Sequence, residues 1–546
     1  MAAFLLFATV LVFLPENAFR TSSSEIGVSL GRIVGLGLTA AVASSILLAT
    51  LFLALPHRNH RIATSLVVVL AFLFYLQGNV FLWNYGLFSG KDFDYDAFDL
   101  YGIGEVIFWS LALLLGWLRA AWISRHLMQL VGFLLAVQVG TVLAATVMEE
   151  GLWETPPRWE RDDALFEFSE NGNVVILVLD GFKGPLFQRA LATHDDPPDF
   201  QGFTHFTDVL GAFNYTYMSV PAMLSGESYQ NQRPIPNFLA EALGERSIAE
   251  RLAAAGYMAH ASTDASYCSF FRQTRCSSGV PHDESGKLLA FFDFVLFRGL
   301  PHYAKKPLRL ERSGLLQAFG RDRKELIAYQ HESLALIEAF ERRASVGAGS
   351  PTFKFIHLML PHSPWVLGAD CEPLARMLIQ TPRAYLLQAG CSLRLAGQLL
   401  QTLERIGLYE SSLLVIVSDH GAAVQLPFET RHAVETGRAQ PLVLVKPPGA
   451  RGALRSDATP ISLTDLPATV AELVGLQVRY PGQSLFGEAH ASPRTRRYYE
   501  YSSAATNGEY LPPIQETQVR GPIDDPASWS RGPLFEWSTE NDLQNR

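Results

Sequence analysis

Long, predominantly apolar stretches crowd the first 148 residues of this 546-residue chain and then cease. The runs at 33–55, 65–84, 103–123 and 128–148 can each cross a bilayer. A helix rises about 1.5 Å per residue, so roughly 20 apolar residues span a hydrocarbon core of about 30 Å. A shorter run at 2–14 has the size of a signal-peptide core. No basic residue precedes it, and Pro15-Glu16-Asn17-Ala18-Phe19-Arg20 makes a poor cleavage site, so a short first span is expected instead.

Past Met148 the pattern changes twice. Residues 149–170 mix charges with Pro156-Pro157 and read as a linker. Short, mainly apolar runs then follow one another: Asn173–Gly181, Phe353–Leu360, Ser412–Gly421 and Pro441–Lys446. Runs of this kind are strands buried on both faces. Helical patterns lie between them at 246–255, 324–345 and 392–406. Strands alternating with helices predict an α/β domain, a mainly parallel sheet covered by helices on both faces. The expected division is a bundle of about five transmembrane helices at 1–148, a linker at 149–170, the α/β domain at 171–496 and a polar extension at 497–546.

Charge adds direction. His57-Arg58-Asn59-His60-Arg61 follows the second span, and Arg119, Arg125 and His126 follow the fourth. The third is followed by Lys91-Asp92-Phe93-Asp94-Tyr95-Asp96 and Asp99, which is acidic. With the N-terminus in the cytoplasm both basic loops fall inside, and everything after Met148 falls outside, as in a multi-pass protein of a bacterial-type plasma membrane. A net charge of −9 excludes a phosphate-backbone binder, so no nucleic acid is expected. The four cysteines match no zinc knuckle. In an oxidising compartment the simplest pairing is Cys268–Cys276 and Cys371–Cys391; otherwise they are free thiols.

Candidate chemistry gathers at strand ends, where ligands bind in such sheets. Asp180 closes the first strand, and Ser418-Asp419-His420-Gly421 closes the third. Carboxylates and imidazole are ligands for a divalent metal, although an Asp-Gly at a strand end is often only a turn. His362, in Pro361-His362-Ser363-Pro364, and His432 lie in loops, where a lone histidine is usually a surface residue. His357, inside its strand, reads as a core histidine, and Lys183 as an exposed lysine. Thr216 and Ser219 are candidate nucleophiles, since a hydroxyl at a helix start gains from a nearby metal and from the helix N-terminus. Either could equally be an N-cap.

Together these residues resemble the alkaline phosphatase and sulfatase superfamily, in particular its membrane branch of lipoteichoic acid synthases and lipid A phosphoethanolamine transferases. Thr216, Ser219, Val220 and Pro221 fit the register of the transferases' nucleophilic threonine. The resemblance implies a metal, zinc or manganese, held by Asp180, Thr216, Asp419 and His420, with Thr216, His362 and His432 in catalytic roles. It implies a membrane phospholipid donor and an envelope glycan or lipid acceptor. Ile461-Ser462-Leu463-Thr464-Asp465-Leu466-Pro467-Ala468-Thr469 resembles the family's late helix start. Three features depart from the pattern. The first metal position usually carries glutamate, not Asp180. Formylglycine-forming sulfatases need arginine where Ser219-Val220-Pro221-Ala222-Met223 has Met223. No disulfide can flank Thr216. A sulfatase-like hydrolase and a non-catalytic lipid sensor are the alternatives.

Overall fold

The computed structural model describes residues 1–20, 29–83, 95–148, 163–277, 284–308, 328–372, 381–427, 429–487, 494–502 and 509–537. The chain forms two compact units, Met1–Arg158 with Pro281–Leu326, and Trp159–Val280 with Ile327–Arg546.

Among the described residues the first unit holds five helices of membrane-spanning length and composition: Ala2–Arg20, Leu30–Leu53, Asn59–Asn79, Asp99–Leu118 and Leu127–Val147. The first is longer than expected. A π-turn at Thr9–Phe13 precedes Pro15, and the helix runs on to Arg20. The wider turn accommodates a ring that would otherwise crowd the carbonyl one turn back. Gly37 of the second span approaches this turn so closely that a Cβ would lie 1.9 Å from the Leu11 carbonyl oxygen. Most of the acidic loop, Lys91–Asp94, lies outside the described residues. The stretch Pro281–Leu326 was expected within the α/β domain but groups with the membrane helices, and it supplies the helices Glu284–Gly299 and His302–Leu308.

The second unit is built on an eight-stranded sheet: β1 (Asn173–Leu179), β2 (Thr204–Phe206), β3 (Met258–Ser262), β4 (Arg275–Ser277), β5 (Thr352–Leu358), β6 (Leu413–Val417), β7 (Val443–Lys446) and β8 (Arg455–Asp457). Their order is β8-β2-β7-β6-β1-β5-β3-β4. Only β7 runs antiparallel to its neighbours. Central β1 is wholly buried and feeds two cores by simple alternation. Val174, Ile176 and Val178 pack on one face, and Val175, Leu177 and Leu179 on the other. The helix Pro382–Arg405 covers the second face with Leu393, Ala396, Leu400 and Leu403. It starts well before the expected 392, because Thr381 caps it by accepting from the Ala384 amide and Pro382 suits its first turn.

Two boundaries shift. Residues 163–168 are no linker: Leu165, Phe166 and Phe168 are buried in the second core, and Glu167–Phe168 pairs with Ser345–Val346. The remainder of the linker, 149–162, lies outside the described residues. The polar C-terminal extension forms a sheet of its own, β9 (Arg496–Glu500), β10 (Ile514–Val519) and β11 (Trp529–Phe535), all antiparallel. Arg496 ties it to the main body. It is buried and donates to Asp208 Oδ1 at 2.7 Å and to the carbonyls of Ile461 and Gly521. Both cysteine pairs are disulfides, Cys268–Cys276 and Cys371–Cys391.

Candidate active site

Three neighbouring parallel strands deliver the site. In register, Val178 of β1 faces Val417 of β6 on one side and His357 of β5 on the other. The residues that leave these strands at their carboxyl ends therefore converge: Asp180 after β1, His362 beyond β5, and Ser418-Asp419-His420 after β6. Hydrogen bonds fix the turns. Ser418 Oγ donates to the His420 carbonyl and accepts from the Phe182 amide at 2.8 Å, and the Gly181 amide donates to Asp419 Oδ1 at 3.1 Å. Gly181 has φ +70°, a conformation suited to glycine.

The helix Thr216–Ser225 brings the hydroxyl. Tyr215 is its N-cap residue, so neither Thr216 nor Ser219 serves as a cap. Thr216 Oγ1 donates to Asp180 Oδ2 at 3.3 Å and lies 3.2 Å from His420 Nε2. Ser219, one turn on, is buried and donates to the Asp419 carbonyl at 2.6 Å. Thr216 thus faces the acids, and Ser219 anchors the loop that carries one of them. Tyr267 OH donates to the Thr216 carbonyl at 3.0 Å and secures the start of the helix.

The ring nitrogens are oriented as well. His420 Nδ1 lies 2.7 Å from the Gly421 carbonyl, which can only accept, so Nδ1 carries a hydrogen and Nε2 is the ring nitrogen turned to Thr216 and the acids. The same logic applies to His362, whose Nδ1 is 2.7 Å from the Ser363 carbonyl, and whose own carbonyl accepts from Gln388 Nε2.

Asp180, Asp419 and His420 are all buried, and one ligand atom from each lies within 4.8 Å of the others. Among the described residues Asp180 Oδ1 and Asp419 Oδ2 accept no hydrogen bond, and His420 Nε2 approaches them only to 3.9 and 3.4 Å. Two buried carboxylates with bare oxygens are costly unless a cation joins them. The donor set of oxygens and one imidazole suits a divalent metal, so these residues fit the ion that the sequence pattern implied. Burial alone would raise the pKa of Asp180. The charge of His362, the hydrogen bond from His357 and the charge of His420 outweigh it and hold the carboxyl well below the usual range. Burial lowers the pKa of His357, but the bond to Asp180 and its charge raise it further.

Three expectations need amending. His357 is more than a core histidine, because its Nε2 lies 3.3 Å from Asp180 Oδ2 while Nδ1 faces Thr263 Oγ1. Lys183 is buried rather than exposed, and its ammonium pairs with Glu429. His432 makes its contacts with the C-terminal extension, through Nε2 to the Ile523 carbonyl at 3.1 Å and edge-on to Trp529.

Residues 173–476 match the sulfatase family. The chain belongs to that family. The sulfatase fold has similar solved structures at low identity. The 2-O GAG sulfatase BT1596 shares 12% identity over 65% of this chain and 81% of its own, with a TM-score of 0.40. For the phosphonate monoester hydrolase SpPMH from Silicibacter pomeroyi the figures are 13%, 67%, 89% and 0.37. For the lipoteichoic acid synthase LtaP from Listeria monocytogenes they are 12%, 68%, 88% and 0.33. Comparison with curated proteins finds no match. This sulfatase-family protein is an enzyme with a buried Asp/His group able to bind a metal.

Proposed function

We propose that this enzyme moves a phospho-alcohol head group from a membrane phospholipid to an envelope glycan or lipid through a covalent adduct on Thr216. One observation carries the reading: the hydroxyl presented to Asp180 and His420 is a threonine, while the nearby serine is turned away into a backbone bond. Threonine cannot yield an aldehyde by oxidation at Cβ, because that carbon bears a methyl group. Formylglycine chemistry is therefore closed to Thr216, and Ser219 lacks the arginine its maturation needs. What remains is direct attack by an alcohol oxygen.

Asp180, Asp419 and His420, with Thr216 Oγ1, would hold a zinc or manganese ion. When bound, such an ion lowers the pKa of a hydroxyl and offsets charge on phosphoryl oxygens. Thr216 Oγ1 gives up its proton to solvent and forms the bond to phosphorus from the N-terminus of its helix, whose amides favour negative charge in front of them. The bond to the diacylglycerol oxygen breaks. His362, its ring held by the Ser363 carbonyl, supplies the proton to that leaving oxygen in its charged form. An acceptor hydroxyl then attacks phosphorus and returns a proton to His362, and the Thr216 oxygen departs, taking up a proton from solvent. His432, tied to the extension, is assigned no step.

Five apolar helices fit a lipid donor met at the bilayer surface, and two disulfides fit an oxidising, extracytoplasmic side for the active unit. Incubation with head-group-labelled phosphatidylethanolamine or phosphatidylglycerol tests the proposal. A transferase releases diacylglycerol and leaves label on an acceptor. Label released only as free phospho-alcohol makes the enzyme a hydrolase, and no turnover with full metal binding favours a lipid sensor.

A further inference from the structure

We propose that the helices Glu284–Gly299 and His302–Leu308 form a membrane-docking module, latched by Glu105, which gives the enzyme its access to lipid donors; the lipid part rests on the transferase reading above. In sequence these helices lie between β4 and the helix Ala328–Arg343 of the catalytic unit, and they group with the membrane helices. Phe291 and Val295 join Leu14, Ala18 and Phe19 of the first span and Leu30 and Ile33 of the second. Arg298 donates to Asn17 Oδ1 at 3.0 Å, and Asn17 in turn donates to Asn79 Oδ1 at 3.0 Å.

Glu105 is the centre of this packing. It lies in the fourth span, 3% exposed. Its Oε1 accepts from Gln77 Nε2 at 2.9 Å and from Trp83 Nε1 at 2.6 Å. Its Oε2 accepts from the backbone amide of His302 at 2.6 Å. A carboxylate inside a membrane helix is expensive and needs a reason. Here its donors come from the third span, the segment after it and the first residue of the helix His302–Leu308, so it joins separate elements rather than capping one. The bond to the module is to a backbone amide, which ties down the helix start whatever the side chain.

The contacts also agree on place. They use the C-terminal ends of the first and third spans and the N-terminal ends of the second and fourth. Successive spans alternate in direction, so these four ends share one face, where head groups lie. The docked helices lie in sequence between β4 and the helix Ala328–Arg343, so the covalent chain links the catalytic unit to this face on both sides of them. A donor bound at the same face gains in effective concentration without any new contact to it.

The test uses the full chain in phosphatidylethanolamine and phosphatidylglycerol nanodiscs, as H302P, H302A and E105A. Proline is tolerated at a first helical position and removes the amide hydrogen, whereas H302A keeps it. Amide exchange of residues 304–306 and 308 should rise about tenfold in H302P and E105A, but not in H302A. Diacylglycerol release should fall about tenfold in the same two variants, while turnover of bis(p-nitrophenyl) phosphate stays within about twofold. Unchanged exchange in H302P and E105A overturns the latch. Equal loss on both substrates overturns the lipid-access role. If the wild type turns over neither substrate, the transferase reading fails, and the exchange measurement still decides the latch.

Discussion

Ser219 and Thr216 stand one helical turn apart, and exchanging either for alanine should give opposite results. Ser219 is buried, and its hydroxyl donates to the Asp419 carbonyl at 2.6 Å. Ser219→Ala leaves that carbonyl oxygen without its partner in a dry core, a cost of about 1–3 kcal/mol. In a unit of this size that lowers the melting temperature by about 1–4 °C. Asp419 also loses support for its backbone, so turnover should fall by about 10–100-fold, the usual effect of removing a group behind a metal ligand. Thr216 is half-buried and reaches Asp180 and His420 only at 3.3 and 3.2 Å. Thr216→Ala should cost less than about 1 kcal/mol yet abolish turnover. Thermal melts and diacylglycerol release on both variants make the comparison. If Ser219→Ala abolishes turnover with an unchanged melt while Thr216→Ala stays active, the assignment of the two hydroxyls is wrong.

Other expectations follow from single sites. Asp419→Asn alters one of the three buried residues placed to hold a metal, so metal retained through gel filtration should be lost, as elemental analysis will show; full retention would place the ion elsewhere. Burial lowers the pKa of His205 from 6.5 to about 4. The folded ring thus stays neutral where the unfolded one takes a proton, and stability is lost as pH falls from 6.5 towards 4, by up to roughly 3 kcal/mol. His205→Phe keeps the stacking on Phe187 and should flatten that part of the stability–pH curve. Arg496→Met leaves Asp208 without its buried partner and should cost about 3–5 kcal/mol in urea unfolding.

The legible parts of this molecule were those that local chemistry dictates. Asp180 and Asp419-His420 announce themselves because an apolar run ends in acids exactly where a parallel strand must end. Thr216 was visible from its register with Ser219 and Pro221, although only the fold separates the two hydroxyls. His357 could have been found: it lies on the same face of β5 as Phe353 and Phe355, one residue from the strand's end. Lys183 could not, since its partner Glu429 is 246 residues away in sequence and arrives only when the loop after β6 folds back. The excursion of Pro281–Leu326 was hidden for a related reason. Its helices carry ordinary apolar spacing, and nothing local tells which core they join. His432 was placed by spacing alone, which says nothing about the C-terminal strands that hold it.

The central claim is that Thr216 carries the transferred group. Peptide mass spectrometry of enzyme quenched during turnover with head-group-labelled phosphatidylethanolamine or phosphatidylglycerol tests it most directly. The account predicts a phospho-alcohol adduct on Thr216, absent from Thr216→Ala. Label on another residue, or diacylglycerol release by Thr216→Ala at the wild-type rate, would contradict it.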